Sequence, residues 1–164
     1  MNNMVRNFRK KPELDLCLNL GCGNQKWPNW VNIDVRPMAE ADLVCDVRDL
    51  PYDDGIVDSF VALDLLEHFE SQEWRKVLAH WISKLKPGGF FCIRVPDIRV
   101  AVALHTDDDY LVRLIFGGQD YPENTHKTAF TAKILLAELD KLNVRIAKQF
   151  HNPAGNLIVE GYKK

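Results

Sequence analysis

The chain has 164 residues, 46 % of them hydrophobic and 27 % charged, a composition that excludes a disordered chain and suits one globular domain spanning 1–164. A formal net charge of −2 removes any electrostatic case for nucleic-acid binding by the chain as a whole. No apolar run approaches the length of a membrane span, and no apolar signal segment follows the N-terminal basic residues.

Residues 1–12 carry the basic cluster Arg6, Arg9, Lys10 and Lys11 and read as a solvated flexible tail rather than a phosphate-binding arm. Leu14 to Leu20 is a first strand, bounded by Gly21-Cys22-Gly23. Val31 to Val35 is a second, ended by Arg36-Pro37, and Asp42 to Val47 a third. The turn Asp53-Asp54-Gly55 leads into a fourth, Val57 to Leu63. A helix is expected from Ser71, as N-cap, to Lys86. Trp74, Val77, Leu78, Trp81, Ile82 and Leu85 recur on one face of it, which is core rather than a binding surface. Pro87-Gly88-Gly89 is a stop ahead of a fifth strand, Phe90 to Val95. Helical patterns follow at Asp109 to Phe116, ended by Gly117-Gly118, and at Thr131 to Leu142. Val144 to Phe150 and Leu157 to Tyr162 are both strands. The segment His151 to Asn156 between them is too short for a parallel crossover, so they form an antiparallel hairpin. The expected fold is therefore α/β: a doubly wound, Rossmann-like, seven-stranded sheet, mostly parallel with an antiparallel C-terminal hairpin.

Glycines at the carboxyl end of a first parallel strand let the backbone turn tightly against a ligand. An acidic residue ending the next strand, Asp34, can accept both hydroxyl hydrogens of a ribose. Together they describe an adenosine-binding crevice. The connection Asn24 to Trp30 contains Pro28 and is too short for a full crossover helix. A dinucleotide needs the N-terminus of that helix for its pyrophosphate, and Lys26 stands where the third glycine of its fingerprint would be. S-adenosylmethionine has no pyrophosphate and loses less by that shortening.

The segment Leu18-Asn19-Leu20-Gly21-Cys22-Gly23-Asn24 resembles the first motif of class I S-adenosylmethionine-dependent methyltransferases. Asn32-Ile33-Asp34 resembles the ribose-binding end of their second strand, and Cys45-Asp46-Val47 with Leu50-Pro51-Tyr52 their adenine-contacting turn. Leu63-Asp64-Leu65-Leu66-Glu67-His68-Phe69 is similar to their motif after strand four, and Leu85-Lys86-Pro87-Gly88-Gly89 to the element before strand five. Ile115-Phe116-Gly117-Gly118-Gln119, with His126-Lys127 and Phe130, looks like a small bacterial and phage subgroup. The chain departs from the family at Asn19, commonly acidic, whose amide can still hold a neighbouring backbone group, and in its nearly missing first helix.

The resemblance implies S-adenosyl-L-methionine as cofactor and S-adenosyl-L-homocysteine as product. Leu20, Gly21, Cys22 and Gly23 would bind the methionyl end, and Asp34 the ribose. Asp46 and the Val47 amide would hold the adenine, with Leu63 and Asp64 lining the methionyl pocket. Asp34 could instead be a surface carboxylate, Asp46 a turn starter and Asp64 a helix cap. His68 and His126 are the candidate bases, with a packed helix-start residue and a plain surface histidine as their alternatives. Asp97 reads as an N-cap. Gly117 to Phe130 reads as a lid hinged at Gly117 and Gly118. No Asn/Asp-Pro-Pro-Tyr motif and no Pro-Cys nucleophile occur. The expected acceptor is thus a small molecule, sugar or glycoconjugate methylated on oxygen, not a nucleic acid or a membrane, and a homodimer stays open. No metal site is expected. The cysteines, Cys17, Cys22, Cys45 and Cys92, form no CxxC pair and read as reduced, placing the protein in the cytoplasm. The alternative reading is a non-catalytic S-adenosylmethionine-binding protein, or a partner subunit of another methyltransferase.

Overall fold

The structure, a computed structural model, describes residues 15–105 and 107–164. Leu14, the basic cluster and the expected tail lie outside the described residues. Seven strands form one sheet: β1 (Cys17–Leu20), β2 (Val31–Asp34), β3 (Leu43–Val44), β4 (Val57–Leu63), β5 (Leu85–Pro96), β6 (Val144–His151) and β7 (Asn156–Lys163). Their order is β3-β2-β1-β4-β5-β7-β6, parallel up to β5 and antiparallel across β5-β7-β6. The expected fold class and the closing hairpin are both present. β1 pairs with β2 on one side and β4 on the other. The chain therefore reverses direction across the sheet at β1, and the crevice beyond its carboxyl end is the place where such sheets bind ligands.

Alternation along the strands splits the core in two. Phe60, Ala62, Phe91 and Ile93 face the larger cluster, with Trp74, Leu78 and Trp81 of α1 (Trp74–Lys84). Leu135 and Leu139 of α4 (Ala132–Leu139) join them there. The intervening Val61, Cys92 and Ile158 face the opposite side, where Trp27 covers them, packed edge-on against Trp30 at 5.2 Å. These two indoles sit in the Asn24–Trp30 connection and cover apolar surface that a crossover helix would otherwise bury. Asn32 fixes them: fully buried, it accepts from the Trp27 amide (2.8 Å) and donates to the Trp27 and Trp30 carbonyls (3.1 and 3.0 Å).

Several boundaries differ from expectation: Leu85, expected on the helix face, instead opens β5, α4 ends at Leu139 rather than Leu142, and three further differences have a clear physical reason. β3 is two residues long rather than Asp42 to Val47. Asp42 spends its carboxylate on the Asn32 amides, and Asp46 caps the 3-10 helix Val47–Asp49, so both ends are drawn out of the ladder. Pro87-Gly88-Gly89 is a bulge inside β5 rather than a stop before it, because Val57 faces Leu85 while Ser59 faces Phe90. Ser71 does not cap α1. A turn closed by Glu73 and Trp74 amides on the Glu70 carbonyl (2.8 and 3.1 Å) precedes the helix, and Glu73 stands at the cap without a side-chain bond. Asp97 does cap α2 (Ile98–Leu104), and its second oxygen takes the Ala132 amide (2.8 Å) and His151 Nε2 (3.1 Å). α3 (Asp108–Phe116) ends at Gly117 as expected.

Gly161 lies opposite Phe91 between β5 and β6. A methyl group there would stand 2.6 Å from the Phe91 ring and 2.8 Å from the Arg145 carbonyl. Gly161→Ala gains strand propensity, but the strand backbone cannot yield. A net loss of about 1–3 kcal/mol is expected, read as a lowered urea midpoint at unchanged slope.

Candidate active site

Gly21 and Gly23 both adopt left-handed backbone, with φ of 63° and 49°. A side chain at Gly21 would be strained and would meet Leu65 at 2.6 Å. The Cys22 amide donates to the Ile33 carbonyl (2.9 Å), so the turn is tied to the end of β2. There Asp34 Oδ2 accepts from the Gly23 amide (2.9 Å), and Oδ1 from the Arg36 amide and Nε (3.0 and 3.1 Å). Burial raises the Asp34 carboxyl, but these hydrogen bonds and the Arg36 charge outweigh it and hold the group below its usual range. Arg36 also stacks on Tyr121, 4.2 Å from its ring centre.

Asn19 holds its neighbours as expected, donating to the Gln25 carbonyl (2.9 Å) and to Asn32 Oδ1 (3.0 Å). Asp46 does start a turn: it accepts from the Arg48 amide (2.9 Å) and pairs with the Arg48 guanidinium (2.6 Å), yet it still lines the cleft beside Val47. Asp64, with φ of 53°, does not cap a helix. It pairs with Arg94 of β5, whose Nε donates at 2.8 Å. Gly21, Cys22, Gly23, Asp34, Asp46, Val47, Leu63, Asp64, His68 and His126 all line one cleft of about 640 Å³. Leu20 is the exception. It is 1 % exposed and packs in the core, because alternation along β1 turns it away from the crevice.

The segment after α3 folds over this cleft. Tyr121 and Lys127 line it, and the Lys127 and Thr128 amides donate to the Glu67 carbonyl (2.8 and 3.0 Å). His68 Nδ1 lies 3.1 Å from the Thr125 carbonyl, and His126 Nδ1 lies 2.9 Å from that of Leu114. Protonated Nδ1 satisfies both carbonyls and leaves each Nε2 as the lone-pair nitrogen. Burial pulls both imidazoles below the usual histidine range, outweighing the carbonyls that favour the charged form. Beside them Glu67 is 1 % exposed, and burial pushes its carboxyl well up. A second cavity of about 620 Å³, lined by Glu67, Asp107, Asp109, Arg113 and Asn156, shares Asp64, Asn124 and His126 with the cleft.

A family model described as a methyltransferase domain matches residues 18–93, the stretch from β1 to β5 that carries Gly21, Asp34, Asp46 and Asp64. Over those residues the chain is similar to a methyltransferase domain. Solved structures agree with this domain in fold. One is the Burkholderia thailandensis 1,6-didemethyltoxoflavin-N1-methyltransferase with bound 1,6-didemethyltoxoflavin and S-adenosylhomocysteine, at 15 % identity and a TM-score of 0.63, covering 91 % of this chain and 71 % of that one. Another is a Methanosarcina mazei protein described as an S-adenosylmethionine-dependent methyltransferase, at 14 % identity and 0.61, covering 99 % and 98 %. A third is the complex of the Haloferax volcanii Trm112 methyltransferase activator with a protein assigned as a methyltransferase, at 14 % and 0.63, covering 92 % and 83 %. No curated protein matches the sequence. No helix among the described residues is long and apolar enough to cross a membrane.

Arg36, Glu67, Arg94 and Tyr121 were not singled out by the sequence. Arg94 meets Asp64, and Tyr121 meets Arg36, only once the sheet is assembled. Arg36 alone had a local signal, an arginine two residues after the carboxylate it binds.

Proposed function

We propose that the protein is a cytoplasmic S-adenosylmethionine-dependent methyltransferase acting on a hydroxyl group of a small molecule, sugar or glycoconjugate. The observation that carries the reading is the junction of the two cavities at Asp64 and His126, on the carboxyl side of the sheet. One cavity has the donor set for an adenosine. Asp34 Oδ2 accepts a single protein hydrogen bond, leaving acceptor capacity for one ribose hydroxyl. Oδ1 becomes available to the second when Arg36 Nε gives way. Gly21, Cys22 and Gly23 present main chain to the methionyl end, and Asp46 and Val47 line the adenine end. The bound cofactor supplies an electrophilic methyl group on a sulfonium.

The other cavity takes the acceptor. Its exposed carboxylates, Asp107 and Asp109, suit a ligand rich in hydroxyl donors. Methyl transfer mainly needs alignment and exclusion of water, and the 117–130 segment closes over the site. His68 and His126, neutral near pH 7, can take a proton from the acceptor hydroxyl at Nε2. Buried thiols at Cys22 and Cys92, the latter pushed up to about 12 by burial, agree with a reducing compartment.

The test is calorimetric titration with S-adenosylhomocysteine in chelator, then a panel of hydroxylated acceptors with labelled methyl donor. Micromolar binding is expected; folded protein that binds nothing overturns the cofactor assignment. One observation favours a second reading, a cofactor-binding subunit of a complex: α2 and α3 leave Val102, Leu104, Val112 and Phe116 more than half exposed. Label incorporated into any acceptor by the isolated chain rules that reading out.

A further inference from the structure

We propose that Glu67, His68 and His126 form a binding site for a divalent transition-metal ion of the zinc or cobalt class, set in the wall between the two cavities. One ligand atom of each residue lies within 4.8 Å of those of the other two. Tetrahedral ligands at zinc distances stand roughly 3.3 Å apart, so a closing of at most about 1.5 Å per pair brings the set to that spacing.

Three observations point to an ion rather than to chance proximity. Both rings spend Nδ1 on main-chain carbonyls, His68 on Thr125 and His126 on Leu114, and the Asp64 main chain also bonds the His68 ring. That is the outer contact which orients ligating histidines and leaves Nε2 for the metal. Glu67 is 1 % exposed, and neither carboxylate oxygen has a hydrogen-bond partner among the described residues. Buried polar atoms are nearly always satisfied, so a carboxylate with both oxygens orphaned implies a partner of another kind. The two halves of the site are also held in register: the Lys127 and Thr128 amides bind the Glu67 carbonyl, which fixes His126 against the Glu67–His68 turn.

Arg94 is the nearest competitor for Glu67. Its guanidinium is already engaged with Asp64, and Glu67 keeps no hydrogen bond to it. Two neutral imidazoles and one carboxylate suit zinc, cobalt or nickel better than magnesium or calcium, which take oxygen ligands. Three protein ligands leave at least one coordination position open. Glu67 and His126 both line the second cavity, so that position accepts an oxygen donor from a molecule there. The site goes beyond the methyl-transfer reading and stands without it; with the ion bound, His68 and His126 are ligands at Nε2 and no longer bases.

The experiment uses the full chain stripped with chelator and titrated with cobalt(II), followed by visible absorption. One cobalt per chain is expected, with ligand-field bands of a nitrogen and oxygen set. Zinc should displace it. Glu67→Gln and His126→Ala should each weaken cobalt binding by at least about 100-fold, while their melting curves in chelator match wild type. Wild-type protein that takes up no cobalt overturns the proposal, and so does undiminished uptake in both variants. Should one variant fail to fold, the other decides. Cofactor binding measured in chelator is a separate readout, so failure here leaves the methyl-transfer reading standing.

Discussion

Asp34→Asn is expected to lower the affinity for S-adenosylhomocysteine by at least about 100-fold, read by calorimetry. Two ribose hydroxyls donating to one carboxylate make charge-assisted bonds, each contributing about 1.5–3 kcal/mol, and the amide keeps one acceptor oxygen at most. The substitution also acts on the protein alone. Asp34 holds the Gly23 amide, the Arg36 amide and Arg36 Nε. The new amide nitrogen must face at least one of these donors, at a cost of about 1–3 kcal/mol in stability. Affinity and urea midpoint are therefore measured side by side. An unchanged affinity would show that Asp34 is a structural carboxylate that ties the glycine turn to β2 and nothing more.

The same residue predicts a pH dependence. The folded-state carboxyl of Asp34 is held below its usual value. Its contribution is fully present above the unfolded carboxyl range, near 4, and is lost as pH falls through the depressed folded value. The wild-type stability curve should thus fall more steeply on its acid limb than that of Asp34→Asn.

The cleft beyond β1 and β2 was legible because the residues that line it are close in sequence. Gly21, Cys22, Gly23, Asp34, Asp46 and Val47 follow strands whose apolar runs announce them, and parallel pairing of β1 with β2 brings their carboxyl ends together. Leu20 failed for a reason of the same kind. A motif names neighbours in sequence, whereas strand alternation sends every second side chain into the core. Of the three boundary differences with a clear physical reason, two share one cause: the Asp42 and Asp46 carboxylates and the Glu70 carbonyl accept from main-chain amides, which hydropathy does not register; the third is the register shift at Pro87-Gly88-Gly89. The other half of the site was not legible. Glu67 and His68 are adjacent in sequence, but His126 reaches them only after three α-helices, a strand and a folded-back segment. Nothing in the pattern around Glu67 shows that its carboxylate is enclosed. His68 and His126 were recognised separately as titrating groups; that they face each other, at 4.8 Å between ring centres, is a property of the fold.

Trp81→Ala should remove much of the stability of the domain. The indole is fully buried and packs edge-on against Phe60 and Phe69, with centroids 6.1 and 6.0 Å away. Truncating a buried tryptophan costs about 3–5 kcal/mol, a large part of the 5–15 kcal/mol typical of a domain. With a slope of about 2 kcal/mol per molar, the urea midpoint should fall by roughly 2 M. The loss also reaches the site. Trp81 Nε1 donates to the Val47 carbonyl (2.9 Å) and so pins the 3-10 helix that begins at Val47, in the wall of the cleft proposed to take the adenine, onto α1. Trp81→Phe separates the two effects. It keeps most of the packing and orphans the buried carbonyl, so about 1–3 kcal/mol should be lost and the adenine wall loosened. If cofactor affinity falls in Trp81→Phe by more than its stability loss explains, α1 positions the wall as well as supporting the sheet. If affinity is unchanged while the midpoint drops, the surrounding core and the Leu50 amide bonded to His80 suffice to place Val47, and the Trp81 hydrogen bond contributes stability alone.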